Sequence, residues 1–534
     1  MHYSRIAQAL QEISQAPRSR KVDLAAGLLS EIEPEPEMLC PAVRLLLGEL
    51  WPPWEVREMG IGPEALMAAL TEVSDRDVST VRDRMGEMGM VAEAALAQKG
   101  QHSLFREPLE ALSVYERLRR VSTMSGKESE QRKNALLRGL FLEATPLEGK
   151  YIARTALRNM QAGIGHTTII VALSHSLHCD QEKIQRAYSL MPDIGSIAAM
   201  AQNQKLENVA FQPKVPTKFM LFRRSDPLVP GYFLPKYPGL RVQVHKIKKE
   251  VLIFSSQLRN ITFALNGISR QLGEIESDFV ADADLIGFHD SGIKRKEICS
   301  QAEMLRYINR RRLSRKSAIH PALLAYDLIA LQGEDICRMS YQDRRKRLLS
   351  VLGEPKSMPF QGISPAQEDV LTDKDAIDDF LSRAGAWALL ERDLQAPYRP
   401  GIAAERDIII RAEHNLTAMI VRTSWGRDKK EKLPARYQVA LRRGEELVPV
   451  GWAWRGLPKT DQQTLSHGLR SLVIDKDESG ADVNAQVVLN LKIRGAHKSK
   501  AKYIILEPVI EGFKLNATLD DADDLECLEM ICRE

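Results

Sequence analysis

The stretch YFLPKYPGLRVQVHK, residues 232–246, places Lys236 between two prolines and follows it with a glycine and an arginine. Pro235, Pro238 and Gly239 cannot continue a helix, and residues 241–245 alternate polar with apolar, so the stretch reads as a turn that feeds a strand. A lysine at a turn is ordinarily a solvated charge. One used in chemistry needs burial or a charged partner, which spacing alone does not show.

Downstream the period of two continues: LRVQVH and EVLIF are joined by the basic turn KIKK, and FVADADLIGF and ALLAYDLIAL read as further strands. The arginine-rich segment QAEMLRYINRRRLSRK between the last two reads as helix. After APYRPG come the short strands LTAMIVRTSW, RYQVALRR and LVPVGWAWRGL, which suit a small β-barrel. Upstream, as far as Asn208, apolar residues recur at helical spacing. The expected fold class is multidomain α+β: an all-helical domain at 1–208, a mixed α/β domain at 213–411 and a β domain at 412–534.

Composition narrows the function classes. Against 75 Lys and Arg stand 71 Asp and Glu, a net charge of +4, so a polyanionic partner must be met by local patches. The six cysteines show no paired metal-ligand spacing and the N-terminus lacks an apolar signal core, which points to the cytoplasm. No apolar run approaches the roughly 18 residues that span a bilayer, so no membrane role is expected.

The clearest helix signal is TPLEGKYIARTALRNMQAGIG, residues 145–165. Thr145 can cap, Pro146 suits the first position, Glu148 completes a capping box and Gly163 suits the exit. Lys150, Arg154 and Arg158 recur every four residues opposite Ile152, Ala156 and Met160, which predicts one basic and one core face. In AGIGHTT, Gly163 and Gly165 precede a new helix start whose N–H groups could meet a phosphate; MPDIGSIA at 191–198 repeats the device. This pattern suits a grip on the backbone of duplex DNA without base reading, and a merely solvated face accounts for three cations as well. His175, His178 and Cys179 share helical spacing, but no fourth metal ligand follows at a recognisable interval, and such residues also pack inside helices.

These features together resemble the ATP-dependent DNA ligases of the archaeal and eukaryotic replicative type. The resemblance covers SVYERLRRVSTMSGKESEQRKNALLRGLFLEATPLEGKYIARTALRNMQAGIG, MPDIGSIAAMA, LRVQVHKIKKEVLIFSSQLRNIT, AYDLIALQGEDI and DLQAPYRPG. It implies a helical DNA-binding domain, a nucleotidyltransferase (adenylation) domain and a C-terminal OB-fold. It also implies ATP and Mg²⁺, nicked double-stranded DNA as substrate, a sliding clamp as partner, a monomeric chain and a role in replication, repair or recombination. In that family a lysine amine attacks the α-phosphate of ATP, AMP passes to the 5′-phosphate of a nick, and the 3′-hydroxyl displaces AMP. Lys236 is similar to that nucleophile, Arg241 to the arginine after its motif, Tyr326 to the aromatic residue that stacks on adenine, and Asp284 to a metal-binding carboxylate. Arg392 and Arg411 align with cationic positions of later motifs, and the resemblance leaves Arg406 as a neighbouring cation that could shift into service.

The chain also departs from the family pattern. The Lys-any-Asp-Gly motif reads Lys236, Tyr237, Pro238, Gly239; Leu234 replaces an acidic residue and Ser256 an arginine. Asp282, Ala283 and Asp284 replace Asp-Gly-Glu, and a displacement of about 1 Å can cost on the order of a hundredfold in rate. Trp387 and Ala388 replace Glu-Gly, Ala403 an arginine and Ile409 a lysine, while EGFKLNATLDDADDLECLE lacks the family's terminal basic segment. The alternative expectation is a catalytically degenerate paralogue that binds DNA without sealing nicks. An RNA ligase or capping-type enzyme would share the lysine chemistry but would not need residues 1–208.

Overall fold

The computed structural model describes the chain except residues 33, 36, 58, 76, 100–106, 127, 224–227, 290–297, 311–318, 359, 385, 387, 412–413, 426–433, 478, 500–501 and 534. At 382–384, 405–411, 425, 435, 497–499, 530 and 532–533 it describes the backbone alone. Among the described residues no helix is long and apolar enough to cross a membrane.

Among the described residues from Tyr3 to Gln202 the regular elements are helices, around an apolar core that includes Tyr3, Leu10, Leu45, Phe141, Tyr151 and Ile197. The helix Pro146–Ala156 starts where its sequence says it should. Glu148 N–H donates to Thr145 Oγ1 at 3.4 Å, and Thr145 N–H donates back to Glu148 Oε2 at 2.7 Å. It ends earlier than the sequence predicts, because Arg158 turns left-handed at φ +54° while Asn159 N–H closes on the Arg154 carbonyl. The expected basic face is corrected as well: residues 148–156 are all buried. Gly149 lets the helix Met88–Leu96 approach this closely, since a Cβ there would lie 2.2 Å from Leu96 Cδ1.

Beyond residue 213 the strands are β1 Leu221–Arg223, β2 Gly231–Lys236, β3 Leu240–Ile247, β4 Glu250–Ser255, β5 Phe279–His289 and β6 Ile319–Leu331. They continue as β7 Glu334–Asp335, β8 Gly362–Pro365, β9 Asp369–Leu371, β10 Ala388–Arg392 and β11 Ala403–Arg411. One sheet has the order β1-β11-β10-β2-β9; the other runs β4-β3-β5-β6-β7, with β8 parallel to β6. Phe233, Leu234, Tyr237, Ile286, Leu324, Tyr326, Leu389 and Leu390 share one apolar cluster that joins the two sheets. Between β2 and β3 the chain crosses from one sheet to the other. Lys236 is the last residue of β2 rather than part of the turn. Pro235 is tolerated in a strand because β9 pairs only with residues 231–233, so Pro235 lies past its reach.

The last portion forms β12 His414–Trp425, β13 Pro434–Arg443, β14 Glu446–Ala453, β15 Val473–Lys476, β16 Gly480–Val483, β17 Val487–Ile493, β18 Ala496–Ser499, β19 Lys502–Ile505 and β20 Val509–Leu515. β12 is shared along its length: residues 414–419 pair with β17, residues 422–424 with β16, and its second half with β13 on the other side. The sheet is a half-barrel over the core of Leu416, Ile420, Val439, Leu489 and Leu528.

Candidate active site

The sheet crossover decides the surroundings of Lys236. Its side chain is 10% exposed, and Nζ lies 2.8 Å from Oδ2 of Asp284, which is on β5 of the opposite sheet. The same ammonium sits 4.3 Å from the ring centre of Tyr326 on β6, close enough for a cation–π contact. Tyr326 Oη donates to the Pro235 carbonyl at 3.2 Å and so holds the end of β2. Burial, reinforced by the nearby Asp284 carboxylate, pushes the Tyr326 hydroxyl well above its ordinary pKa, so it stays a neutral donor. Gly239 completes the crossover. A Cβ there would stand 2.7 Å from the Leu285 carbonyl oxygen, a backbone atom that cannot swing away.

One strand over, Arg241 is fixed by Asp282: Nε donates to Oδ1 at 3.0 Å and Nη2 to Oδ2 at 2.5 Å. Its guanidinium lies 4.4 Å from the ring centre of Phe222 and 5.0 Å from that of Phe219. Burial works against the charge of Arg241, but the Asp282 carboxylate outweighs it and raises the pKa. Tyr398 Oη donates to the same Asp282 oxygen at 2.9 Å. The roles of Asp282 and Tyr398 were missed in the sequence. Both stand in the segments FVADADLIGF and APYRPG, yet nothing local says that one carboxylate would gather an arginine from β3 and a tyrosine from the stretch between β10 and β11.

Arg392 is not brought to Lys236. In the β2–β10 register Lys236 faces Ala388 and Arg392 faces Tyr232, which separates them by about 13 Å along the strands. Arg392 instead donates to Asp327 Oδ2 and stacks 4.0 Å over the Tyr341 ring centre. Arg344 Nε and Nη2 each donate to Asp327 at 2.8 Å, so one carboxylate holds two buried guanidiniums. Burial opposes ionisation of Asp327, yet Arg344 and Arg392 together lower its pKa below the usual carboxylate value. Arg411 lies on the rung Lys236–Ala388–Arg411 by backbone pairing. The side chains of Arg406, Ile409 and Arg411, and the whole of Trp387, lie outside the described residues.

The expected DNA-contacting stripe divides. Lys150 is 6% exposed, with Nζ 2.9 Å from Glu93 Oε2 and 3.1 Å from Gln11 Oε1. Arg154 is 7% exposed, with Nη2 2.9 Å from Glu87 Oε2. Both point into the domain because their carboxylate partners lie there, at the N-cap and within the helix Met88–Leu96. Arg158 is exposed, 5.7 Å from the Trp51 ring centre, and so are Gly163 and Gly165; Gly165 is the N-cap of the helix His166–Ser176. The second glycine turn is not an open phosphate cradle. Asp193 caps the helix Ile194–Gln202 through Ser196 N–H and is ion-paired with Arg44. His175, His178 and Cys179 are not gathered as ligands; among the described residues the only grouping of that kind is His289, Cys299 and Glu303.

Residues 2–174 match the family model described as DNA ligase N terminus, and residues 230–391 match that of the ATP dependent DNA ligase domain. The two spans cover well over half of the chain. The chain belongs to the ATP-dependent DNA ligase family. Among curated relatives, the DNA ligase of Methanothermobacter thermautotrophicus (strain Delta H) is 26% identical over 99% of this chain and 97% of its own length. The DNA ligase of Thermococcus fumicolans is 26% identical over 98% and 97%, and that of Methanopyrus kandleri 25% identical over 100% and 99%. Within the ligase family's second span lie β2, β3, β5 and β6, the four strands that assemble Lys236, Arg241, Asp284 and Tyr326.

Proposed function

We propose that the protein is an ATP-dependent DNA ligase that seals nicks in duplex DNA, with Lys236 as the residue that takes AMP. The observation that carries this reading is the burial of the Lys236 amine at the sheet crossover, between the Asp284 carboxylate and the Tyr326 ring. Attack by Nζ on the α-phosphorus of ATP forms a P–N bond and releases pyrophosphate. Asp284 Oδ2 is the acceptor 2.8 Å away for the proton that the amine must lose. AMP then passes to the 5′-phosphate, and the 3′-hydroxyl displaces it to close the strand. Arg241, held rigid by Asp282, is a fixed cation and donor for the nucleotide.

Asp284 offers the hard oxygen donor that Mg²⁺ takes when it is held by one carboxylate together with substrate phosphates. Bound there, the ion would neutralise charge on the reacting phosphate. Residues 1–208 are read as the DNA grip, with Arg158, Gly163 and Gly165 on its exposed side, residues 213–411 as the adenylation domain and the half-barrel of 412–534 as an OB-fold. Sealing of this kind serves replication, repair or recombination.

Incubation with ATP labelled at the α-phosphate, followed by denaturing electrophoresis, tests the proposal. Wild type should retain label and Lys236→Ala none. The shorter Asp284 and the Pro238 substitution favour the second reading, a relative that binds DNA without sealing it. No label together with retained, salt-sensitive nick binding would decide for that reading.

A further inference from the structure

Away from Lys236, three side chains of different chemistry converge at the end of β5. His289 closes that strand, Cys299 follows the backbone bridge between Phe288 and Ile298, and Glu303 sits in the first turn of the helix Gln301–Ile308. One ligand atom from each lies within 4.8 Å of the other two. Cys299 is fully buried, whereas the side chains of His289 and Glu303 are each 33% exposed, so the group has an apolar floor and an open mouth.

His289 Nε2 and Glu303 Oε1 are 3.1 Å apart. Two ligands on a tetrahedral ion with bonds of about 2.0 Å are about 3.3 Å apart, so this pair already stands at ligating distance. The Cys299 sulfur, within 4.8 Å of both, would move inward by no more than roughly 1.3 Å to complete a face at a Zn–S bond of about 2.3 Å. Glu303 is pre-oriented: Ser300 N–H and Oγ hold Oε2 at 2.9 and 2.8 Å, which leaves Oε1 for His289. Such outer hydrogen bonds are what fix a metal-binding carboxylate. The backbone also fits the sulfur closely. Cys299 N–H donates to the Gly287 carbonyl at 2.8 Å, and a Cβ on Gly287 would come within 3.2 Å of Cys299 Sγ.

We propose that His289, Cys299 and Glu303 form a Zn²⁺ site, with water in the fourth position. Imidazole, thiolate and carboxylate suit a borderline-soft ion better than Mg²⁺ or Ca²⁺, which take oxygen ligands. On binding, the proton between His289 and Glu303 and the thiol proton of Cys299 leave to solvent, and three metal–ligand bonds replace one hydrogen bond. The site bears on the reaction centre through one neighbour: Gln301 Nε2, in the same helix, donates to the Gly239 carbonyl at 3.3 Å. Zinc would therefore tie the end of β5 to a helix that braces the Lys236 crossover.

The test uses the full chain, stripped with a chelator and re-equilibrated with Zn²⁺, followed by elemental analysis of the gel-filtered protein. One zinc per chain is expected. His289→Gln and Cys299→Ala should each weaken retention by at least about tenfold, on the scale of losing one ligand interaction. Co²⁺ in place of Zn²⁺ should give a thiolate-to-cobalt absorption band in wild type that Cys299→Ala abolishes. Lys236→Ala should keep both the zinc and the band, which separates this site from the adenylation chemistry. His289 is partly exposed, so His289→Gln is readable even if Cys299→Ala does not fold. Failure of wild type to retain zinc, or equal retention by His289→Gln, would overturn the proposal.

Discussion

Replacing Asp327 with asparagine should be among the most damaging single changes in the chain, although it alters no residue in contact with Lys236. The carboxylate is 1% exposed and receives three guanidinium N–H bonds, two from Arg344 and one from Arg392, besides one from the Leu328 backbone N–H; the Arg344 and Arg392 side chains are 0% and 1% exposed. The amide of Asp327→Asn would keep one acceptor oxygen, turn an NH₂ toward a guanidinium and remove the negative charge that Arg344 and Arg392 share. Removing one partner from a buried ion pair costs about 3–5 kcal/mol. At roughly 2–4 °C per kcal/mol for a unit of this size, one transition in differential scanning calorimetry of the full chain should fall by about 10 °C. A triple variant, Asp327→Leu with Arg344→Met and Arg392→Met, should recover much of that loss, because it removes the charges together. A shift below about 2 °C for Asp327→Asn would refute the reading of Arg392 as an internal anchor and return it to the set of candidate nucleotide contacts.

Gly239→Ala should cost about 1–3 kcal/mol through overpacking against the Leu285 carbonyl. It should also cut Lys236 adenylation by on the order of a hundredfold if the crossover moves by about 1 Å, read by the labelled-ATP assay; unchanged labelling would count against the crossover as the element that positions Lys236. Arg154→Met should lower stability by about 2 kcal/mol, less than for a fully buried pair because Glu87 keeps its bonds from Gly89 and Met90 N–H. It should leave the salt dependence of DNA binding unchanged, whereas Arg158→Ala should reduce the log–log salt slope by about 0.9. Burial pushes His245 from 6.5 down to about 4, so the unfolded chain binds the extra proton first. Stability from this group is complete above pH 6.5 and should fall by about 3 kcal/mol as pH drops toward 4, a dependence that His245→Gln should remove.

Much of the architecture was legible in the sequence because it is encoded locally. The change from helical to alternating periodicity near residue 213 marks where helices give way to sheets, and the Thr145–Glu148 capping box starts its helix as read. The segments LRVQVH, EVLIF, FVADADLIGF and ALLAYDLIAL lie in β3, β4, β5 and β6. Lys236, Arg241, Asp284 and Tyr326 could be named through the family resemblance, since motif spacing survives even where single residues have changed.

What a charge faces was decided only by tertiary structure. Lys150 and Arg154 keep the same four-residue spacing whether they look outward or inward. Glu93 and Glu87, more than fifty residues earlier in the chain, turn them in, because a buried cation must take whatever carboxylate the packing supplies. Arg392 lies near Lys236 in motif order but far along the paired strands, since antiparallel register, and not sequence interval, sets that distance. Lys236 reads as a solvated turn lysine until β2 and β3 are seen to belong to different sheets. The crossing between them carries its amine to a carboxylate 48 residues away, and that non-local pairing is what the alternation of polar and apolar residues cannot encode.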